Sequence, residues 1–189
     1  MTGIGHNRGP QTDGAGWRAH CWRKARADLL GPRLPIEVVR RHVVRARELG
    51  LDYKTYAGVR ATTGRDLVAF LFSSNALGVF RDGAPLAAGR AGRIAQIVAA
   101  PHLGTAPGLD PAALGERIGA LSARALPGFG ASWPALRDDM KSWLRSQGLP
   151  GDAVLMIGET DHEVEMMAAG GLAGFVTGQR YFEGTQDAV

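Results

Sequence analysis

Cysteine is almost absent from the 189-residue sequence, in which Cys21 is the only one. A single thiol excludes an internal disulfide and a metal site built from several thiolates. Long apolar runs are lacking too, and none approaches the roughly 18 residues that a membrane-spanning helix needs. The first fourteen residues are polar and rich in glycine, which is not the pattern of a signal peptide. The absence of disulfides, of long apolar runs and of a signal peptide favours a cytoplasmic protein without a membrane segment.

Hydrophobic residues make up 45% of the sequence, which is enough for one domain with a hydrophobic core. The charge is uneven: residues 1–50 contain ten Lys or Arg and four acids, whereas residues 101–189 contain six and eleven. A basic front half predicts contact with an acidic partner, which is either another protein or a nucleic acid. Attraction between the two halves, or the arginine preference of a GC-rich genome, would explain the same asymmetry without a partner.

Helical periodicity dominates the front of the chain after a tail, residues 1–15, whose composition predicts disorder. Residues 16–30 and 35–49 each place apolar side chains at helical spacing, with arginines on the other faces. Residues 52–64 are expected to form a short helix or a turn. Together, residues 16–64 are interpreted as a basic helical arm that docks on another protein. The proposed contact face consists of Arg40, Arg41, Arg45 and Arg47.

Three short apolar segments, residues 67–72, 153–157 and 172–177, have the length and composition of buried strands. The helices predicted between them imply an α/β fold, a small parallel sheet with helices on both faces, within a domain that spans residues 65–183. Residues 92–100 fit a helix and a strand equally well. The remaining segments are assigned as a loop at 101–111 and as helices at 111–126, 134–147 and 159–169.

Parallel sheets bind ligands beyond the carboxyl ends of their strands. After strand 67–72 that position holds Ser73, Ser74 and Asn75. Hydroxyl groups and backbone N–H groups at such a place are suited to a phosphate or another anion. The same residue types are equally what a buried strand needs where it turns, so both interpretations stay open.

Acidic residues follow strand 153–157, where the sequence reads VLMIGETDHEVEMM. Glu159 and Glu163 are candidate ligands for Mg²⁺, which prefers carboxylate oxygens. Acids in the first turns of a helix also stabilise it through the helix dipole without any ligand. Thr160 and Glu163 match the Ser/Thr-x-x-Glu capping box, which gives Glu163 a structural role. We expect that structural role and no catalytic metal.

The two segments resemble blocks of the haloacid dehalogenase superfamily of phosphohydrolases and phosphotransferases. The stretch PGDAVLMIGETDHEVEMMAAGGLAGFV is similar to the last block, in which a strand ends in Gly-Asp, a second acid follows and a helix leads to another strand. The stretch AFLFSSNAL is similar to the second block, whose Ser or Thr holds the phosphate, and Lys141 lies about where the family keeps its lysine. The whole chain also resembles proteins from alphaproteobacteria, and its opening GIGHNRGP is similar to an N-terminal tag on such proteins.

The resemblance implies an aspartate nucleophile and a second aspartate two residues later, both at the end of the first strand. Such a pair is expected before residue 67, and the sequence has none there. We therefore predict a non-catalytic accessory or regulatory protein, without a cofactor, that acts through protein contacts. A divergent Mg²⁺-dependent phosphohydrolase is the alternative, and nucleic-acid binding through the basic helices is the third hypothesis. The candidate catalytic residues of the alternative are Ser73, Lys141, Glu159 and Glu163.

Overall fold

A parallel sheet of five strands forms the centre of the computed structural model, which describes residues 34–184. The strands are β1 (Ala69–Ser73), β2 (Ala100–Thr105), β3 (Ser122–Ala125), β4 (Val154–Gly158) and β5 (Gly174–Thr177). Their order across the sheet is β3-β2-β1-β4-β5, and every neighbouring pair is parallel. The predicted α/β fold is thereby confirmed, and the three predicted strands are the adjacent strands β1, β4 and β5.

Helices cover both faces of the sheet, because side chains alternate along its strands. Phe70 and Phe72 of β1 join one hydrophobic cluster, whereas Ala69 and Leu71 join another. The helices are α1 (Ile36–Glu48), α2 (Tyr53–Thr63), α3 (Arg90–Ala95), α4 (Pro111–Ile118), α5 (Trp133–Ser146), α6 (Asp161–Gly170) and α7 (Gly178–Glu183). Helices α1 to α4 and α7 complete the first cluster, and α5 and α6 complete the second.

Strand β2 corrects the sequence prediction, which assigned residues 101–111 to a loop. Pro101 and Gly104 are residue types that are depleted in strands, and they concealed this one. The segment is nevertheless a strand, because β2 pairs with β1 on one side and with β3 on the other, and its residues 102–105 are buried. The undecided segment 92–100 contains the end of α3 and the first residue of β2.

The helix predicted at 111–126 is wrong in its second half. Helix α4 ends at Ile118, and Gly119 follows it in the left-handed conformation, with φ at 66°. Residues 122–125, SARA, then form β3 at the edge of the sheet, paired with β2. Alanine and arginine favour helices, but the parallel pairing with β2 outweighs that local preference. The helices predicted at 134–147 and 159–169 are present as α5 and α6.

Helix α1 confirms the helix predicted at 35–49, and α2 shows that the segment 52–64, for which a helix or a turn was expected, is a helix. Asp52 caps the start of α2 with its carboxylate, and Gly64 ends it at a φ of 70°. From Arg40 onward the chain belongs to one compact unit. Leu49 and Tyr56 of this region are buried in the cluster that also contains Phe70 and Phe72.

Two predictions concern residues outside the described range. The tail at 1–15 and the helix at 16–30 lie there, and the division of the chain into a tail, an arm and a domain stays a prediction. Within the described residues, no helix has the length and the apolar character needed to cross a membrane.

Candidate functional site

The carboxyl edge of the sheet is the candidate site, because β1 and β4 end there side by side. Phe72 pairs with Ile157, which places Ser73 beside Gly158 and confirms that these two residues share one edge. Strands β2 and β3 lie on one side of β1, and β4 and β5 lie on the other. Such a reversal of strand order opens a crevice above the sheet, where α/β proteins bind ligands.

Ser73 and Ser74 are fully buried, and their hydroxyl groups hold the chain itself. Ser73 Oγ accepts a hydrogen bond of 3.0 Å from the backbone N–H of Ala76, in the turn that follows β1. Ser74 Oγ accepts one of 2.9 Å from the N–H of Ala106, just after β2. Both serines therefore lie at the predicted edge, and each hydroxyl oxygen is engaged by a backbone donor.

Glu163 connects the ends of β1 and β4, although it is only 2% exposed. Its Oε1 accepts a hydrogen bond of 3.0 Å from the side-chain amide of Asn75. Its Oε2 accepts hydrogen bonds from the N–H groups of Glu159, at 2.6 Å, and Thr160, at 2.9 Å. The N–H of Glu163 donates in turn to Thr160 Oγ1, at 3.3 Å, which completes the predicted capping box. Three donors compensate the burial of this carboxylate.

The place that an anion would take at the start of α6 is filled by the same carboxylate. Backbone N–H groups at a helix N-terminus are the usual receptors for a phosphate, and two of those near the start of α6 already donate to Glu163. Glu159 and Asp161 add exposed negative charges close by. A second anion would therefore meet repulsion at this end of the helix.

The other candidate side chains, those of Glu159 and Lys141, are exposed. Glu159 Oε2 accepts a hydrogen bond of 3.3 Å from the N–H of Gln179 at the start of α7. Lys141 lies on α5, the helix that packs against α6. Among residues 34–184, no group of three or more His, Cys, Asp or Glu side chains is arranged to hold a metal ion.

A cavity of about 40 Å³ beside Glu163 was not predicted from the sequence. Its wall includes His162 of α6 and Phe129 of the loop after β3. The two rings stack, with centroids 4.6 Å apart and an interplanar angle of 27°. His162 Nε2 also lies 3.2 Å from the carbonyl oxygen of Pro127, so the side chain joins α6 to that loop. The side chain of His162 is only 10% exposed, so it is part of this packing and not a surface residue.

Arg45 of the predicted basic face has a structural role. Arg45 is 23% exposed and forms ion pairs of 2.9 Å with Glu48 and with Asp66. It also donates to the carbonyl oxygen of Leu67, which fastens α1 to the segment before β1. Burial opposes its charge, but hydrogen bonds and charges from Glu48 and Asp66 outweigh burial and raise the pKa of Arg45. The exposed members of the face are Arg40, Arg41 and Arg47.

Comparison with protein-family models, with curated proteins and with solved structures gives no match for this chain. The fold and the contacts at the carboxyl edge are therefore the basis for a functional proposal. Chemically, this edge offers two buried hydroxyl groups, one amide and one buried carboxylate, which bond to one another or to the backbone.

Proposed function

We propose that this chain is a non-catalytic accessory or regulatory protein that acts through contacts with another protein. The observation that carries the proposal is the environment of Glu163. Its buried carboxylate accepts hydrogen bonds from Asn75, Glu159 and Thr160, all of 3.0 Å or less. The acid that a metal would need at the carboxyl edge is therefore already engaged in holding the fold.

A magnesium ion would be poorly placed at Glu163. Mg²⁺ requires a nearly octahedral shell of oxygen ligands at about 2.1 Å. A cation that approached Oε2 would face the positive ends of two N–H groups, those of Glu159 and Thr160. Binding would have to break these hydrogen bonds and, with them, the cap of α6.

The proposal includes the resemblance to the haloacid dehalogenase superfamily. We propose that the chain has a core of that type but lacks the residues for the family's chemistry. The family pattern implies an aspartate nucleophile and a second aspartate at the end of a strand that precedes the block with Ser73. Among residues 34–184 no strand precedes β1, and the sequence has no such pair of aspartates before residue 67.

Exposed aromatic side chains support a contact role. Phe80 is 74% exposed, Phe129 is 83% exposed and Trp133 is 51% exposed. They lie in the segments that follow β1 and β3 and at the start of α5. Aromatic residues are enriched where proteins meet, because they combine a large apolar area with little conformational freedom. Together with the exposed arginines of α1, they are the described surfaces from which we propose that a protein partner is bound.

A divergent Mg²⁺-dependent phosphohydrolase is the second candidate. It is favoured by one contact, the hydrogen bond between Asn75 and Glu163, because it brings polar groups from two strand ends together at the edge where α/β enzymes bind ligands. In that protein Ser73 would contact the phosphate, and Glu159 and Glu163 would hold the metal.

Phosphate release and thermal melting together separate the two candidates. The full-length chain is incubated with a generic phosphomonoester, and its melting temperature is measured with and without millimolar Mg²⁺. We expect no turnover and no rise in melting temperature with the metal. A metal-dependent rise that disappears in Glu159→Gln, accompanied by turnover, would contradict the proposal and establish the enzyme.

The same experiment compares Glu163→Gln with Glu159→Gln as its matched control. The new amide group of Glu163→Gln faces backbone donors, so the free energy of unfolding should fall by about 2–3 kcal/mol. Glu159 is exposed, and its replacement should change the free energy of unfolding by at most about 1 kcal/mol. Equal effects of the two substitutions would show that Glu163 does not hold the ends of β1 and β4 together.

A further inference from the structure

A cavity of about 630 Å³ lies between α3 and α7. Pockets for small molecules occupy roughly 300–1,000 Å³, so this volume is sufficient for an organic ligand. None of its lining residues belongs to the small cavity beside Glu163. The residues that matter for its chemistry are Gly89, Arg90, Gly92, Arg93, Phe182 and Glu183.

Arg90 presents a positive charge that is fixed in position. Its Nη1 donates a hydrogen bond of 2.8 Å to the carbonyl oxygen of Ala76, and its guanidinium carbon lies 5.0 Å from the centroid of the Phe182 ring. No carboxylate of residues 34–184 forms an ion pair with Arg90. A guanidinium group that is held by stacking and by one hydrogen bond retains donors suited to a phosphate or a carboxylate.

Arg93 lies one helical turn later and lines the same cavity. It donates hydrogen bonds to the carbonyl oxygens of Gly50, at 2.9 Å, and Phe182, at 3.3 Å. Its guanidinium carbon lies 5.0 Å from the centroid of the Tyr181 ring. These contacts hold Arg93 in the wall of the cavity. Arg90 is therefore the guanidinium group that we assign to a ligand, and it attracts a dianion more strongly than a monoanion.

Two glycines, Gly89 and Gly92, leave open space beside the backbone in the wall of the cavity. A Cβ atom added to Gly89 or to Gly92 would meet no atom within 4 Å. Gly92 lies inside α3 without a positive φ, so neither its conformation nor its packing requires glycine. Glycine in a helix is less favourable than alanine by about 1 kcal/mol. Its presence here is explained if the space beside it is used by a ligand.

We propose that this cavity binds a small organic phosphate, a phosphomonoester whose dianionic group is bound by Arg90. The organic part occupies the space beside Gly92. Glu183 carries an opposing charge at the same cavity, and its repulsion limits the affinity. The proposal goes beyond the contact function and holds whether or not the carboxyl edge of the sheet is catalytic.

Isothermal titration of the full-length chain tests the proposal, with ribose 5-phosphate and adenosine monophosphate as probes and with adenosine and acetate as controls. We expect at least one organic phosphate to bind with a Kd below about 1 mM, and neither control to bind. Undetectable binding of both phosphates at about 10 mM, or equal binding of acetate, would overturn the proposal.

Variants connect the binding to this cavity. Gly92→Leu places a larger side chain beside α3, at a position where a Cβ atom would meet no atom within 4 Å. It should weaken binding by about tenfold or more while the chain stays folded. Arg90→Gln should weaken it similarly, and Glu183→Gln should strengthen it, because repulsion is removed. Arg137→Gln on α5 is the matched control for loss of a positive charge and should have no effect. Unchanged affinity in Gly92→Leu would place the phosphate elsewhere and contradict the assignment.

Discussion

His102 is buried in β2 with an incomplete set of hydrogen-bond partners. It is 3% exposed, and its Nδ1 lies 2.8 Å from the hydroxyl oxygen of Ser122. The ring packs edge-on against Trp143, with centroids 5.5 Å apart. Its Nε2 has no hydrogen-bond partner among residues 34–184. Burial therefore lowers the pKa of His102 from its usual 6.5.

The stability of the protein should fall as the solution is acidified through the range in which free histidine titrates. Above about pH 6.5 the ring is mostly neutral in the folded and the unfolded chain, so it adds little pH dependence. Below that value the unfolded chain takes up a proton that the folded chain does not. The free energy of unfolding then decreases by up to about 1.4 kcal/mol per pH unit. Urea unfolding between about pH 7.5 and pH 5 measures this decrease.

The variant His102→Leu is the control for that pH profile. It removes the titrating group and keeps an apolar side chain in the core, so its free energy of unfolding should depend less on pH over the same interval. Parallel profiles for the two proteins would mean that His102 does not cause the loss of stability, and the argument from its burial would be wrong.

Contacts of single residues were predictable only where they are local in sequence. The capping box of Thr160 and Glu163 could be predicted because its two residues lie within one helical turn. The hydrogen bond of Glu163 to Asn75 joins residues that are 88 positions apart, and no periodicity reports such a distance. The stacking of Phe129 on His162 escaped prediction for the same reason, although an aromatic residue between glycines, PGFG, marked the loop.

Helices and strands, too, could be predicted only where their signals are local in sequence. The unit of β4, α6 and β5 could be predicted because apolar runs, a cap and terminal glycines lie next to one another in the sequence. Strands β2 and β3, with the sequences APHLGT and SARA, lack such a pattern. Their strand conformation comes from parallel pairing with segments that are distant in the chain, which local propensity cannot represent.

The junction between β5 and α7 depends on a close approach of two backbones. Thr177 caps α7, because its hydroxyl oxygen accepts a hydrogen bond from the N–H of Arg180. Gly178 is buried against the turn after β1, where a Cβ atom would lie 2.6 Å from the carbonyl oxygen of Ala76 and 2.7 Å from its Cα. That turn is held by Ser73, so it has little freedom to move aside.

Gly178→Ala should therefore lower the free energy of unfolding by about 1–3 kcal/mol, the usual range for overpacking. Gly92→Ala is the matched control in a second helix, because its Cβ would meet no atom within 4 Å. It should leave the stability unchanged or raise it by up to about 1 kcal/mol through helix propensity. Urea unfolding measures both variants. A Gly178→Ala protein as stable as the wild type would show that α7 shifts without cost.

Across the whole molecule, the net charge of +4 results from an arginine-rich front half. Within residues 34–184, two ion pairs join the front of the chain to its back, Arg65 with Asp152 at 2.8 Å and Arg180 with Asp52 at 3.4 Å. Exposed pairs of this kind contribute roughly 0–1 kcal/mol each, so attraction between the halves accounts for only part of the asymmetry. Arg41 and Arg47 of α1 are exposed, and we propose that they contact an acidic partner, which is either a protein or a nucleic acid.

The salt dependence of binding distinguishes these two kinds of partner. Each contact with a phosphate of duplex DNA adds about 0.9 to the slope of log K against log salt concentration. Arg41 and Arg47 form no ion pair within residues 34–184 and would supply about two such contacts. The affinity for a duplex should then fall only about tenfold between roughly 50 and 200 mM salt.

Fluorescence anisotropy with a labelled duplex and the full-length chain measures that slope. We expect weak binding with a shallow slope, which the double substitution Arg41→Glu and Arg47→Glu abolishes because it reverses both charges. Arg137→Glu on α5 controls for a general loss of positive charge and should bind as the wild type does. A slope of about six or more would require many phosphate contacts. It would contradict the protein-contact proposal, because so many phosphate contacts indicate an interface that serves nucleic-acid binding and not a weak, non-specific attraction.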